Sequence, residues 1–227
     1  AEGGRGKSYI FFASTIGSGG TSYLNDADAA LVGENAFDSS GQSVSSAGDV
    51  DGDGLADLLI GAPNNDAGGP DAGKTYLLLA TTIGFGGTFS LSGAHAAFIG
   101  ENSGDHSGSS IATAGDVDGD GLPDLLIGAM SNEDGGSGAG KTYLVLGATI
   151  AMGGTYNLNT ADSGFVGESP GDSSGSVVSS AGDVNGDGLA DMLIGAVGNV
   201  EGGGPQGTLG NAAGKTYLLL STYPTPD

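Results

Sequence analysis

The sequence repeats itself at a long, fixed interval, and that period constrains the fold more than any local feature. The block AGDVDGDGLADLLIGAP from Ala47 returns as AGDVDGDGLPDLLIGAM from Ala114 and, after an equal step, as AGDVNGDGLADMLIGAV from Ala181. GKSYIFF at Gly6 returns as GKTYLLL at Gly73 and GKTYLVL at Gly140 on the same step. Its last copy, GKTYLLL at Gly214, comes late because GNVEGGGPQGTLGNAAG carries an insertion. LVGEN around Glu34 returns as FIGEN at Glu101 and FVGES at Glu168. The chain is therefore three copies of one unit with ragged ends. It reads as a single region over 1–227, with repeats at approximately 6–72, 73–139 and 140–213 and a terminal strand at 214–222. Tandem units of this size bury their apolar faces against one another.

Inside the unit the apolar runs are short, rich in Leu, Ile, Val and Tyr, and bounded by Gly, Asn, Asp and Ser, which is the pattern of strands. Four fit per unit, at 42–48, 56–62, 73–79 and 95–101 in the copy from Gln42. No window of useful length has helical spacing, and each Gly in a helix costs about 1 kcal/mol. The fold class expected is all-β: a β-propeller of four-stranded antiparallel blades, about three per chain. A stacked β-solenoid is the competing repeat architecture, but its period is much shorter. With strands lettered A to D, the chain runs C–D, ABCD, ABCD, ABC, thirteen strands in all. Rings close with typically 4–8 blades. The blades are thus expected to be completed by another chain or a longer parent chain, through self-association by terminal strands or blade faces.

The A–B loop is chemically the densest element. It presents Asp49, Asp51, Asp53 and Asp57, then Asp116, Asp118, Asp120 and Asp124, then Asp183, Asn185, Asp187 and Asp191. These are loop positions 1, 3, 5 and 9, with Gly at position 6 and Leu55, Leu122 or Leu189 at position 7. Alternate carboxylates on a tight loop converge, Gly permits the bend, and the position-7 carbonyl adds an oxygen. Hard oxygen ligands in this number suit Ca²⁺, whereas Mg²⁺ resists dehydration and zinc favours His or Cys. An EF-hand needs a Glu at position 12, where Ile60, Ile127 and Ile194 stand here. The expectation is an EF-like calcium loop on a β-hairpin, closed at position 9, at three sites. The competing reading is a solvated acidic turn, since Asp-Gly pairs are ordinary turn formers. Against it, 11 of the 27 acidic residues fall in these twelve positions.

D-x-[DN]-x-D-G-x-x-D followed by LLIGAP and GKTYLLL resembles the FG-GAP repeat of integrin α-subunit propellers and their bacterial relatives. The resemblance covers essentially the whole chain and implies a propeller with calcium loops. The sequence departs from the pattern at the Phe-Gly pair, which is Ser40-Gly41, Ser107-Gly108 and Ser174-Gly175. Gly-Ala-Pro is complete only at Gly61-Ala62-Pro63, with Met130 and Val197 in the other copies. An integrin propeller has seven blades on one chain, and its ligand and partner-subunit surfaces lie outside these motifs. The resemblance therefore implies fold and metal, and leaves a protein or glycan ligand open.

Composition narrows the function classes further. The formal charge of −22 repels nucleic acid and anionic membrane. There is no Cys for disulfides or thiolate zinc sites, and no apolar run long enough for a transmembrane helix. Four of five basic residues are the repeat lysines Lys7, Lys74, Lys141 and Lys215. They are expected either to pair with Glu34, Glu101 and Glu168 or Asp38, Asp105 and Asp172, or to stand exposed as edge lysines. Repeated Tyr76, Tyr143 and Tyr217 read as blade-packing residues. Gly171-Asp172-Ser173-Ser174-Gly175 fits a nucleophile-elbow pattern but lies in an all-β loop with His95 and His106 both upstream, so no enzyme is expected. The chain opens at Ala1 without a basic-then-apolar leader and reads as a processed or excised segment. The expected setting is extracellular or cell-surface, with a structural, adhesive or self-assembly role. The alternative is a non-catalytic propeller module of a larger secreted enzyme or adhesin.

Overall fold

A computed structural model describes residues 4–16, 20–84, 86–200 and 213–222. Among them fifteen strands run in chain order as β1 (Lys7–Ile10), β2 (Ala29–Val32), β3 (Ser43–Gly48), β4 (Asp57–Ala62), β5 (Lys74–Leu78), β6 (Gly87–Ser90), β7 (Ala96–Ile99) and β8 (Ser107–Gly115). They continue as β9 (Asp124–Ala129), β10 (Lys141–Val145), β11 (Gly154–Asn157), β12 (Ser163–Val166), β13 (Ser174–Gly182), β14 (Asp191–Ala196) and β15 (Lys215–Leu219). One helical turn follows each of the first three C strands: α1 (Ala13–Ile16), α2 (Ala80–Ile83) and α3 (Gly147–Ile150).

The strands form four sheets, each one blade. Blade I is β1-β2-β6, blade II β3-β4-β5-β7-β11, blade III β8-β9-β10-β12 and blade IV β13-β14-β15. Blades II and III contain the full antiparallel A–B–C–D set, while among the described residues I contributes its C and D strands and IV its A, B and C strands. The two strands beyond the thirteen expected, β6 and β11, pair in parallel with the D strand of the preceding blade, Phe89 opposite Leu31 and Tyr156 opposite Phe98. The C-to-D connections of blades II and III thus reach back and each adds a further strand to the preceding blade. Tyr156 stacks on Phe98 with ring centroids 5.7 Å apart.

The central strands read as unbroken apolar runs because both of their faces are buried. Successive side chains on β4 and β5 point to opposite neighbours. Ile60, Tyr76 and Leu78 join Leu31 of blade I, while Leu59 and Leu77 join Ile127 and Tyr143 of blade III. One repeat later Leu126 and Leu144 meet Val178 and Met192 of blade IV. Full burial of each such side chain contributes about 1.5–3 kcal/mol.

Where consecutive blades touch backbone to backbone, only Gly fits. A Cβ on Gly61 would collide with the Gly108 carbonyl, and one on Gly128 with the Gly175 carbonyl. The Gly of the IGA run in one blade thus seats the Ser-Gly pair that opens the next, and Ser43 Oγ donates to the same Gly108 carbonyl at 2.6 Å.

Candidate metal centres

The three A–B loops connect β3 to β4, β8 to β9 and β13 to β14, and they fold alike. In the first, Asp49 Oδ1 and Oδ2 accept the amides of Asp53 (3.0 Å) and Gly54 (2.8 Å). In the second, Asp116 accepts Gly119 and Gly121; in the third, Asp183 accepts Gly186 and Gly188. The position-5 carboxylates of Asp53, Asp120 and Asp187 each accept the amide of the position-7 leucine, Leu55, Leu122 and Leu189, at 2.7–2.9 Å. Gly at position 6 has φ of +87°, +88° and +92°, and Gly at position 4, a requirement the spacing reading did not isolate, has +75°, +82° and +80°. Side chains are strained in that region, so the loop demands both glycines.

Carboxylate oxygens of Asp49, Asp51 and Asp57 lie within 4.8 Å of one another, as do those of Asp116, Asp118 and Asp120. Two oxygens on opposite sides of a Ca²⁺ at 2.3–2.6 Å are about 4.6–5.2 Å apart, so these clusters have the span of a calcium shell. In the third loop Asn185 Nδ2 donates to Asp187 Oδ2 at 2.9 Å, so the position-3 amide and the position-5 carboxylate also adjoin.

The position-9 aspartates have a second task that spacing did not reveal. Asp57, Asp124 and Asp191 are fully buried. Each accepts one amide from its own loop, Val50, Val117 or Val184, at 2.7–2.9 Å. Each also accepts an amide just past the C strand, Ala80, Gly147 or Ser221, at 2.7–2.8 Å. They anchor the loop to the blade whether or not they also face an ion. Burial pushes the Asp57 carboxyl up and that of Asp124 to about 6, with the neighbouring loop aspartates adding to the rise against the amide bonds. A cation in the loop offsets both effects.

The other repeated charges resolve into two motifs. Lys74 Nζ lies 2.9 Å from Glu34 Oε2, which also accepts the Tyr76 hydroxyl at 2.9 Å, and the ammonium sits 4.8 Å from the Tyr76 ring centroid. Lys141, Tyr143 and Glu101 repeat this at 2.8 and 2.9 Å, with Asp134 added at 2.6 Å, and Lys215 pairs with Glu168 at 2.9 Å. Each Glu lies two residues past the D strand of one blade and each Lys-x-Tyr on the C strand of the next, so the motif latches neighbours. Burial and the adjacent glutamate hold the Tyr76 and Tyr143 hydroxyls far above the usual phenol range. Of the two carboxylate sets considered for the lysines, the glutamates are the partners. Asp38, Asp105 and Asp172 are buried and accept instead from Asn65, Asn132 and Asn199 at 2.7–2.9 Å.

Ser173 and Ser174 lead into strand β13 rather than a helix, and the adjacent Asp172 is committed to Asn199 and the Ser169 amide. His106 Nδ1 contacts the Gly104 carbonyl at 2.8 Å. His95 sits where Asp28 and Asp162 stand in the other repeats. Those aspartates accept the amides of Phe12 and Leu146 ahead of α1 and α3, at 2.7 and 2.8 Å. His95 makes no such bond; its Nε2 is buried without a partner.

The FG-GAP repeat model matches residues 40–78 and 107–145, each stretch running from the Ser-Gly pair through the acidic A–B loop to the C strand. Over 109 residues, 45% of this chain, the sequence is 39% identical to integrin alpha-PS2 of Drosophila melanogaster. The match spans 7% of that protein's length. Two stretches of the chain are thus FG-GAP repeats, its sheets are those of β-propeller blades, and over less than half of its length it is similar in sequence to an integrin α subunit.

Proposed function

We propose that the chain is a calcium-binding, non-catalytic propeller module of an extracellular protein, with a structural, adhesive or self-assembly role. The carrying observation is the convergence of three loop carboxylates within 4.8 Å, in the first two loops, on a framework of loop hydrogen bonds that the third repeats. Asp49, Asp51, Asp53 and Asp57, with their counterparts in the other loops, would hold the ion through side-chain oxygens, and Leu55, Leu122 and Leu189 through their carbonyls. The ion would cross-link the loop and stabilise the folded blade by mass action. Extracellular calcium modules have dissociation constants on the order of 10⁻⁴–10⁻³ M, which suits millimolar external calcium.

The kinship with an integrin α chain supports the extracellular setting, and among the described residues no helix is long and apolar enough to cross a membrane. Because the match spans so little of that relative, the adhesive role, any protein or glycan ligand, and membership of a larger secreted enzyme or adhesin remain parts of this proposal. The test is titration of the metal-stripped chain with Ca²⁺ by calorimetry. Three ions per chain that Mg²⁺ displaces poorly are expected; no heat and no bound calcium at millimolar concentration would overturn the reading.

A further inference from the structure

The third acidic loop differs from the other two at a position that changes what it can do chemically. Loop position 3 is Asp51 and Asp118 in the first two copies and Asn185 in the third. Gly follows in all three, and Asn185-Gly186 is the one Asn-Gly pair in the sequence. Asn is among the thermolabile side chains, because its carboxamide is an acyl group with ammonia as leaving group. The carboxylates of Asp51 and Asp118 resist the same attack at neutral pH. A glycine amide, with no side chain beside it, is the least hindered backbone nucleophile. Its closure onto the preceding side chain forms a five-membered ring and has the advantage of an intramolecular reaction.

The loop places groups that suit this reaction around the pair. Asn185 Oδ1 accepts the amide of Asp187 at 2.9 Å, an Asx turn that folds the side chain forward along its own chain. That N–H sits on the oxygen that gains negative charge when the carboxamide carbon is attacked. The Gly186 amide donates to Asp183 Oδ1 at 2.7 Å, so a carboxylate lies within proton-transfer distance of the nitrogen that must lose its proton. Asn185 and Gly186 are both exposed to water, and a Cβ on Gly186 would meet nothing within 4 Å. By contrast, Asn65, Asn132 and Asn199 are buried on Asp38, Asp105 and Asp172 and precede Asp66, Glu133 and Val200.

We propose that Asn185 is a self-deamidation site, whose reaction gives the third loop the all-aspartate pattern of the other two. In the first step Gly186 N bonds to Asn185 Cγ and the Cγ–Nδ2 bond breaks. The Gly186 amide proton passes by way of Asp183 to the departing nitrogen, which leaves as ammonia. Water then opens the cyclic imide. Cleavage of the bond between Cγ and the Gly186 nitrogen gives aspartate at position 185, and cleavage on the main-chain side gives its isoaspartyl isomer. The net change is amide plus water to acid plus ammonia, with no oxidant or cofactor. The aspartyl product differs in electrostatics from the parent. Asn185 Nδ2 donates to Asp187 Oδ2 at 2.9 Å, a bond that closes the loop without a cation. After conversion two carboxylates face each other there, as Asp118 and Asp120 do in the second loop, and a cation relieves their repulsion. The deamidation itself needs no ion; this consequence for the third loop rests on the calcium reading.

The test is incubation of the full chain at neutral pH, metal-stripped or in millimolar Ca²⁺, with the peptide containing Asn185 followed by mass spectrometry and by isoaspartate assay. In the metal-stripped chain Asn185 is expected to lose its amide ahead of every other Asn. Calcium at ten times its dissociation constant lowers the population of the open loop about tenfold, and the reaction is expected to slow with it. Asp183→Asn is expected to slow the metal-free reaction at least about tenfold while the β circular dichroism stays unchanged. An Asn185 amide that survives in the folded, metal-stripped chain while the urea-unfolded chain loses it would overturn the proposal, and so would a reaction led by another Asn. Loss at one rate with and without calcium supports the site and contradicts calcium binding at this loop, so the two readings fail separately. Asn185→Asp, which carries the aspartyl product from the start, is expected to melt below the parent in chelator and no lower than it in calcium. A melt equal to the parent's in chelator would overturn the electrostatic consequence.

Discussion

The amide of Ala80, at the start of α2, donates to Asp57 Oδ1 at 2.8 Å, tying the end of a C strand to the last residue of the acidic loop. The same carboxylate accepts Val50 from within the loop at 2.9 Å. One buried side chain therefore serves both the blade and the candidate ion site, and substitution separates the two roles.

Asp57→Ala leaves two amides without their acceptor, a loss of about 1–3 kcal/mol each when they are buried. It is expected to lower the melting temperature even in excess chelator. Asp51→Asn removes a candidate ligand from an exposed loop, and in chelator its melt is expected to stay within about 0.5 kcal/mol of the parent. Its calcium affinity should nevertheless fall. Paired melts with and without calcium check both variants.

The inter-blade latches differ in exposure, and their deletions are expected to differ accordingly. Glu34→Gln strips the carboxylate from a largely buried Lys74 and from the Tyr76 hydroxyl, with an expected loss of about 1–3 kcal/mol. Glu168→Gln acts on an exposed pair and is expected to cost about 1 kcal/mol or less. Urea denaturation of the two variants orders them.

Gly61→Ala places a methyl against the Gly108 carbonyl of the next blade. Backbone has little room to give, so a destabilisation of about 2 kcal/mol or more is expected. Gly52→Ala, at an open loop position with positive φ, is expected to act through backbone strain alone, about 1 kcal/mol. The two melting temperatures distinguish packing from conformation.

His95→Asp restores the residue that caps the equivalent turns at Asp28 and Asp162. The new carboxylate is expected to accept the Leu79 amide and raise stability by about 0.5–1 kcal/mol at neutral pH. Because the benefit needs the ionised form, it should disappear as pH falls through the folded-state value of that carboxyl. Melts of parent and variant across that range check the sign.

The four antiparallel strands of each unit were legible because Gly and Asp clusters bound them and their apolar runs repeat. The acidic loops were legible as candidate metal sites because alternate aspartates recur at one spacing. The added strands β6 and β11 were not: GTFS and GTYN carry one aromatic each after Gly-rich loops, and their pairing partner is the D strand of another blade. Single helical turns such as α2 are too short to show a period. The lysine partners were narrowed to two carboxylate sets, and only geometry separates Glu34, which reaches Lys74, from Asp38, which is buried on Asn65. The anchoring role of Asp57 was hidden because Ala80 lies two strands further along the chain and contributes only backbone.

Calcium-dependent stability is the central claim, and a thermal melt of the parent chain, stripped by exhaustive chelation and then returned to millimolar Ca²⁺, tests it most directly. The account predicts a lowered transition in chelator that calcium restores and an equal concentration of Mg²⁺ does not. An identical transition under all three conditions would contradict it.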